Sequence, residues 1–123
     1  MQKRVLVVDD NDVIRTIVRS AIEMHTPYIV QEASDGVDAV EKAETLNPDL
    51  VVMDLSLPRM NGLDATRVLK RSHPPVQVVL FTLHKGVVSD FEAQSAGLSA
   101  VVAKSEGLET LLREVQHLLQ TTH

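Results

Sequence analysis

Short apolar runs alternate with apolar positions spaced one helical turn apart along the whole chain. The run Val5 to Val8 predicts a strand over Arg4–Val8, closed by the acids Asp9 and Asp10. Asn11 follows as an N-cap, since its side-chain oxygen can accept from the free N–H groups of a first helical turn. Val13, Ile14, Ile17, Val18, Ala21 and Ile22 then recur at the 3.6-residue period, which predicts a helix with one apolar face. Pro27 ends that segment. Tyr28 to Ala33 reads as a second strand. Ser34 or Asp35 caps a second helix, whose stripe is Ala39, Val40, Ala43 and Leu46, and Asn47-Pro48 breaks it. Leu50 to Met53 is apolar throughout, as a parallel strand buried on both faces should be. A loop with Pro58 and Gly62 leads into a third helix, about Leu63 to Arg71, stopped by Pro74-Pro75. Val76 to Phe81 is the fourth strand. The fourth helix is expected over about Val87 to Ala96, with Gly97 as its left-handed end. Ala100 to Ala103 is the fifth strand. The last helix covers about Glu106 to Gln120, with Leu108, Leu111, Leu112, Val115, Leu118 and Leu119 inward.

Five strand–helix units with short links imply an α/β domain, a parallel sheet with helices on both faces. Right-handed crossovers leave few ways to connect them. The expectation is a flavodoxin-like doubly wound (βα)5 fold with a five-stranded parallel sheet in the order 2-1-3-4-5. A closed eightfold barrel needs about twice this length. One domain is expected over 1–123, with 120–123 a tail or the start of a linker.

In such a sheet the ligand site lies at the carboxyl ends of the strands, near the switch in strand order. Strand one ends in Asp9-Asp10, strand three in Asp54, strand four in Thr82 and strand five in Lys104. Taken singly, each has an ordinary reading as a cap, a turn residue or a strand end. Their joint placement at four ends of one sheet is what points to a site. Strands one and three are neighbours in this order, so the three acids should converge. Three carboxylates so close cannot all stay ionised unless a cation joins them or one takes a proton. Oxygen ligands without His or Cys suit Mg2+. A carboxylate can then act as a nucleophile toward phosphorus. Lys104 can meet a phosphoryl oxygen, and the Thr82 hydroxyl can donate to another.

Composition narrows this further. Apolar residues make up 44% of the chain, yet its aromatics are only Phe81, Phe91 and Tyr28, so the core must be aliphatic. There is no cysteine, hence no disulfide framework and no thiolate zinc site. The net charge of −5 gives no global field toward nucleic acid or acidic lipid. Arg59, Arg67, Lys70 and Arg71 form a local basic cluster, read first as a solvated helix face rather than a docking surface. No apolar run approaches the roughly 20 residues of a membrane span. A soluble, cytoplasmic protein is expected.

At these residues the chain resembles the receiver domains of two-component response regulators. The segments that carry the likeness are Val7-Val8-Asp9-Asp10-Asn11, Val52 to Gly62 (with Asp54-Leu55-Ser56-Leu57-Pro58 inside it), Leu80-Phe81-Thr82 and Ala103-Lys104. The wording of the third strand and its loop, with Lys104-Ser105-Glu106, is most similar to receivers fused to LuxR-type helix-turn-helix domains. The resemblance implies a phosphorelay switch. Asp54 matches the phospho-acceptor, Asp10 a direct Mg2+ ligand, and Asp9 a holder of metal-bound water or a further ligand. The Ser56 backbone carbonyl would complete the protein ligands. Thr82 matches the switch hydroxyl and Lys104 the lysine of the family motif. The phosphoryl donor would be a phosphohistidine on a sensor histidine kinase, or acetyl phosphate. Such a domain is not an enzyme for an outside substrate, although it catalyses its own phosphorylation and dephosphorylation. A homodimer through the face of the fourth helix, fifth strand and fifth helix would fit. No nucleic acid or membrane would touch this domain itself.

Three positions depart from the family pattern. Val101 stands where a Tyr or Phe usually sits three residues before the lysine, so coupling of Thr82 to an aromatic is missing. Ser105 replaces the usual proline after the lysine, and a cis bond before a non-proline costs ~2.5–4 kcal/mol. Gly97-Leu98-Ser99-Ala100 replaces Gly-Ala-x-Gly. Ser56 and His84 are expected to flank the path of the water that hydrolyses the acyl phosphate. Other readings have less to stand on. A phosphohydrolase would want a second acid after Asp54 and a cap over its substrate, but Asp54-Leu55-Ser56 supplies none and no insertion is present. A flavin site would want hydroxyl-rich phosphate loops and aromatics. A phosphorylation-independent pseudo-receiver, an interaction module with a residual acid pocket, draws its support from Val101.

Overall fold

The computed structural model describes residues 2–120; of the expected tail at 120–123, Gln120 closes the last helix and 121–123 lie outside the described residues. The strands are β1 (Arg4–Val8), β2 (Ile29–Ala33), β3 (Leu50–Met53), β4 (Gln77–Thr82) and β5 (Ala100–Ala103). The helices are α1 (Asp12–His25), α2 (Gly36–Leu46), α3 (Gly62–Ser72), α4 (Asp90–Ala96) and α5 (Gly107–Gln120). The sheet is parallel throughout, in the order β2-β1-β3-β4-β5. This is the flavodoxin-like arrangement that the alternating pattern predicts.

The core has two layers because strand side chains alternate between faces. Val5, Val7, Leu50, Val52, Val79 and Phe81 point to one side, where Val18 and Ile22 of α1 and Leu111, Val115 and Leu119 of α5 meet them. Leu6, Val8, Val51, Met53, Val78 and Leu80 point to the other. There α2 and α3 contribute Ala39, Ala43, Ala65 and Leu69.

The structure corrects the sequence reading in three places. Helix α4 starts at Asp90, not near Val87. Ser89 caps it: its hydroxyl accepts from the Glu92 amide at 3.0 Å, while the Glu92 carboxylate accepts from the Ser89 amide at 3.1 Å. That reciprocal pair sets the first turn, and Lys85–Val87 form a separate 3-10 turn. Helix α5 begins at Gly107 rather than Glu106, because Lys104–Glu106 form a 3-10 turn and Gly107 takes φ +89°. On α1 the apolar stripe is wider than its buried strip: Val13 is 66% and Ile17 43% exposed, and Val18 and Ile22 do the burying. Every peptide bond among the described residues is trans, Lys104–Ser105 included.

The loop from β3 to α3 packs closely at two glycines, Gly62 at the start of α3 and Gly36 at the start of α2. The Gly62 amide donates to the Leu55 carbonyl at 2.9 Å. A Cβ at Gly62 would overlap the carbonyl oxygen of Asp54, and one at Gly36 would overlap that of Met60. Alanine at a helical position gains about 1 kcal/mol over glycine, but it cannot offset a collision with backbone. Gly62→Ala is therefore expected to destabilise the fold by about 1–3 kcal/mol net, read as a lower urea midpoint. An unchanged midpoint would mean that the loop yields freely.

Candidate functional site

The polar residues that close the strands meet at one end of the sheet. Val8 pairs with Met53 across β1 and β3, so Asp9 and Asp54 leave the sheet side by side. The Asp54 amide donates to the Val8 carbonyl at 3.0 Å, and the Asp9 amide to the Ala33 carbonyl at 3.2 Å. Both acids are buried, whereas Asp10 is exposed. One carboxylate oxygen from each of Asp9, Asp10 and Asp54 lies within 4.8 Å of the others. Lys104 reaches in from beyond β5. Its Nζ is 2.9 Å from Asp9 Oδ2 and 3.4 Å from Asp54 Oδ2.

Three carboxylates against one ammonium leave the pocket short of positive charge. Burial pushes the Asp54 carboxyl above its usual range, Lys104 pulls it down, and the neighbouring Asp9 charge pushes it up again. A divalent ion bound by hard oxygens fits this donor set. These residues could hold such a metal and leave an Asp54 oxygen for chemistry.

Thr82 stands at the end of β4, buried, opposite Ala103 of β5. Its hydroxyl oxygen accepts from the His84 amide at 3.1 Å. That contact uses a lone pair and leaves the hydroxyl proton free to donate. Ser56 and His84 are exposed, each two residues past Asp54 and Thr82 respectively. Val101 is paired with Leu80 and packs with Val88 and Leu98 against the second core layer. Its side chain is half-buried.

The comparisons with known proteins agree with this geometry. A family model for the response regulator receiver domain matches residues 5–116. The chain belongs to the response-regulator receiver family. This receiver is similar to the response regulator GacA of Pseudomonas viridiflava, with 37% identity over 114 residues, 92% of this chain and 53% of that protein. It is also similar to the transcriptional regulatory protein DegU of Brevibacillus brevis, with 29% identity over 118 residues, 95% of this chain and 50% of that one. A crystal structure of a LuxR-family two-component response regulator from Aurantimonas sp. SI85-9A1 superposes with a TM-score of 0.90 at 33% identity, covering 98% of this chain and 86% of that one. The receiver thus spans about half the length of these curated relatives. No helix among the described residues is long and apolar enough to cross a membrane.

Three of the four residues of the basic cluster are tied to neighbours within the receiver. Arg59 forms a two-bonded pair with Asp35, Nε to Oδ2 at 2.9 Å and Nη2 to Oδ1 at 3.1 Å. Arg67 pairs with Asp64, and Lys70 donates to the Pro74 and Val76 carbonyls. Arg15 escaped the sequence reading altogether. Its Nη1 donates to the Asp9 carbonyl at 2.7 Å. The available signal was its place one turn into α1, where long side chains lean back toward the helix N-terminus.

The raised Asp54 carboxyl has a consequence for stability. Between the ordinary carboxylate pKa and the raised one, the folded receiver holds a proton that the unfolded chain has released. Stability therefore falls as pH rises through that window, and the loss is complete above it. Asp54→Asn removes this effect. In metal-free buffer the variant is expected to melt higher than the parent at pH 7, with the gain shrinking as pH falls through that window and gone below about pH 4. A variant that melts equal to or below the parent at pH 7 would contradict it.

Proposed function

We propose that this receiver is a phosphorylation switch in which Asp54 takes a phosphoryl group from a sensor histidine kinase, with Mg2+ held by Asp9, Asp10, Asp54 and the Ser56 backbone carbonyl. The observation that carries the proposal is a buried acceptor carboxylate with two further carboxylates and Lys104 gathered at it. An Asp54 oxygen attacks phosphorus in line. The O–P bond forms as the P–N bond of the phosphohistidine breaks, or the P–O bond of acetyl phosphate. Mg2+, when bound, neutralises charge on the transferring oxygens. Lys104 turns from the carboxylates to one phosphoryl oxygen, and Thr82 donates its free hydroxyl proton to another. Hydrolysis by water later returns Asp54 to its carboxylate.

The two added charges shift an existing equilibrium between conformations. The change is read at the surface formed by α4, β5 and α5, also the proposed homodimer face. In support, Phe91 of α4 is exposed, as are Leu83 and Val87 in the segment leading into it, and Ala96 is the buried residue of α4. The output is transcriptional control by a segment or partner outside this chain, the role that DegU's name describes. A pseudo-receiver is the second reading, favoured by Val101 in place of an aromatic.

Incubation with Mg2+ and acetyl phosphate is expected to add one phosphoryl group by intact mass, and none to Asp54→Asn. An unmodified parent chain, or an Asp54→Asn protein with full output in the cell, would turn the reading toward the pseudo-receiver. Ser56 and His84 are expected to tune the lifetime of the phosphorylated state. Ser56→Ala and His84→Ala should each change the dephosphorylation half-life several-fold, less than the roughly 10²–10⁴-fold that a directly positioned proton-transfer group contributes. Unchanged half-lives at both positions would remove them from that role.

A further inference from the structure

The Asp9–Asp10 turn carries two of the three clustered acids, yet Asp10 is exposed and its side chain makes no hydrogen bond among the described residues. With no side-chain partner, its place beside Asp54 follows from the backbone that carries it and its own side-chain torsions. That backbone is fixed at Asp9 from several directions. The Asp9 amide bonds to β2, Oδ1 accepts from the Asn11 amide at 2.9 Å, and Oδ2 meets Lys104. The Asp9 carbonyl lies beyond the last paired residues of β1 and β2. It accepts instead from Arg15 Nη1 at 2.7 Å.

Arg15 is well placed to hold it. The side chain is only 16% exposed. Its Nε donates to Glu32 Oε1 at 2.8 Å and its Nη2 to Asp12 Oδ1 at 2.6 Å. The second oxygen of Glu32 is taken by Arg19 at 2.7 Å. The guanidinium therefore ties the first turn of α1, the interior of β2 and the peptide between Asp9 and Asp10 into one rigid unit. A fork of fixed donors makes such a link, whereas a single ammonium cannot satisfy all three partners.

We infer that Arg15 is a positioning residue for the divalent-cation site: by holding the Asp9 carbonyl it orients the Asp9–Asp10 peptide and so aims the Asp10 carboxylate at the space shared with Asp54. The inference rests on the reading of the three acids as a cation site.

Charge and positioning predict opposite signs here, which makes the inference testable. Removing a nearby positive charge should strengthen the binding of a cation. Removing a group that orients a ligand should weaken it, by about 10- to 100-fold for outer-shell partners of metal ligands. Mn2+ is the probe, titrated into the metal-free full chain and followed by the loss of the free-ion paramagnetic resonance signal. Arg15→Gln is expected to weaken Mn2+ affinity about tenfold or more. Arg15→Lys keeps the charge but loses the fork, and should also weaken it. Arg67→Gln removes a similar charge outside the Arg15–Glu32 anchor, where Arg67 pairs with Asp64, and should bind as tightly as the parent or slightly tighter. Melting curves of each variant separate loss of fold from loss of positioning. If Arg15→Gln does not fold, Arg15→Lys carries the test, since charge alone predicts no change for it and positioning predicts weaker binding. A folded Arg15→Gln, or in its place a folded Arg15→Lys, that binds Mn2+ at parental affinity or tighter would overturn the inference while leaving the cation site standing. A parent chain that binds no Mn2+, like its Asp10→Asn variant, would overturn both.

Discussion

Everything at the functional end of the sheet depends on one contact: the Lys104 ammonium between the buried carboxylates of Asp9 and Asp54. Two ionised acids side by side in a buried pocket repel each other strongly, and neither can be left there without a partner. Lys104 supplies one positive charge to the pair. Asp10 adds a third negative charge at the exposed rim. The pocket is held together while remaining short of positive charge, a condition that favours a divalent ion and disfavours an ionised Asp54 in its absence. The same imbalance costs stability and prepares the site for chemistry, as is common where function and folding pull in opposite directions.

The scaffold around that contact is built to keep the acids from moving apart. β1 and β3 are adjacent and parallel, with all their apolar side chains buried. Asn11 caps α1 immediately after the acids, accepting from the Val13 and Ile14 amides. Gly62 brings α3 hard against the Asp54 carbonyl. Arg59 crosses to Asp35 at the start of α2 while holding φ at +63°, a conformation that costs energy for any residue with a Cβ. These restraints come from four different segments, so the pocket is over-determined by its surroundings.

The output side is built differently. α1, α2, α3 and α5 each bury several side chains in one of the two core layers, whereas α4 is seven residues long and buries Ala96. Val88, Leu98 and Val101 pack only partly against the second layer. A weakly anchored helix next to a rigid sheet is the element whose position a small energy change can bias. Thr82 lies at the base of the loop leading to it, and the His84 amide bonded to Thr82 is part of that loop. That loop joins the end of β4 at Thr82 directly to the segment that carries α4.

The chain's own pattern determined the five strands and the five helices, because hydrophobic period reports local geometry directly, and the right-handed crossover rule narrowed the order of the sheet. It also marked Asp9, Asp10, Asp54, Thr82 and Lys104, since polar residues that follow buried strands must lie at the sheet's end. Tertiary structure alone decided which of these touch. Lys104 and Asp9 are 95 residues apart in the chain, and their 2.9 Å separation follows from strand register and side-chain reach that no period encodes. The same holds for Arg15, whose reach to Asp9 depends on how α1 lies over β1 and β2. It holds for the start of α4, where one capping pair outweighed the apolar pattern, and for Val13 and Ile17, left exposed because a helix buries only the strip that meets its neighbours.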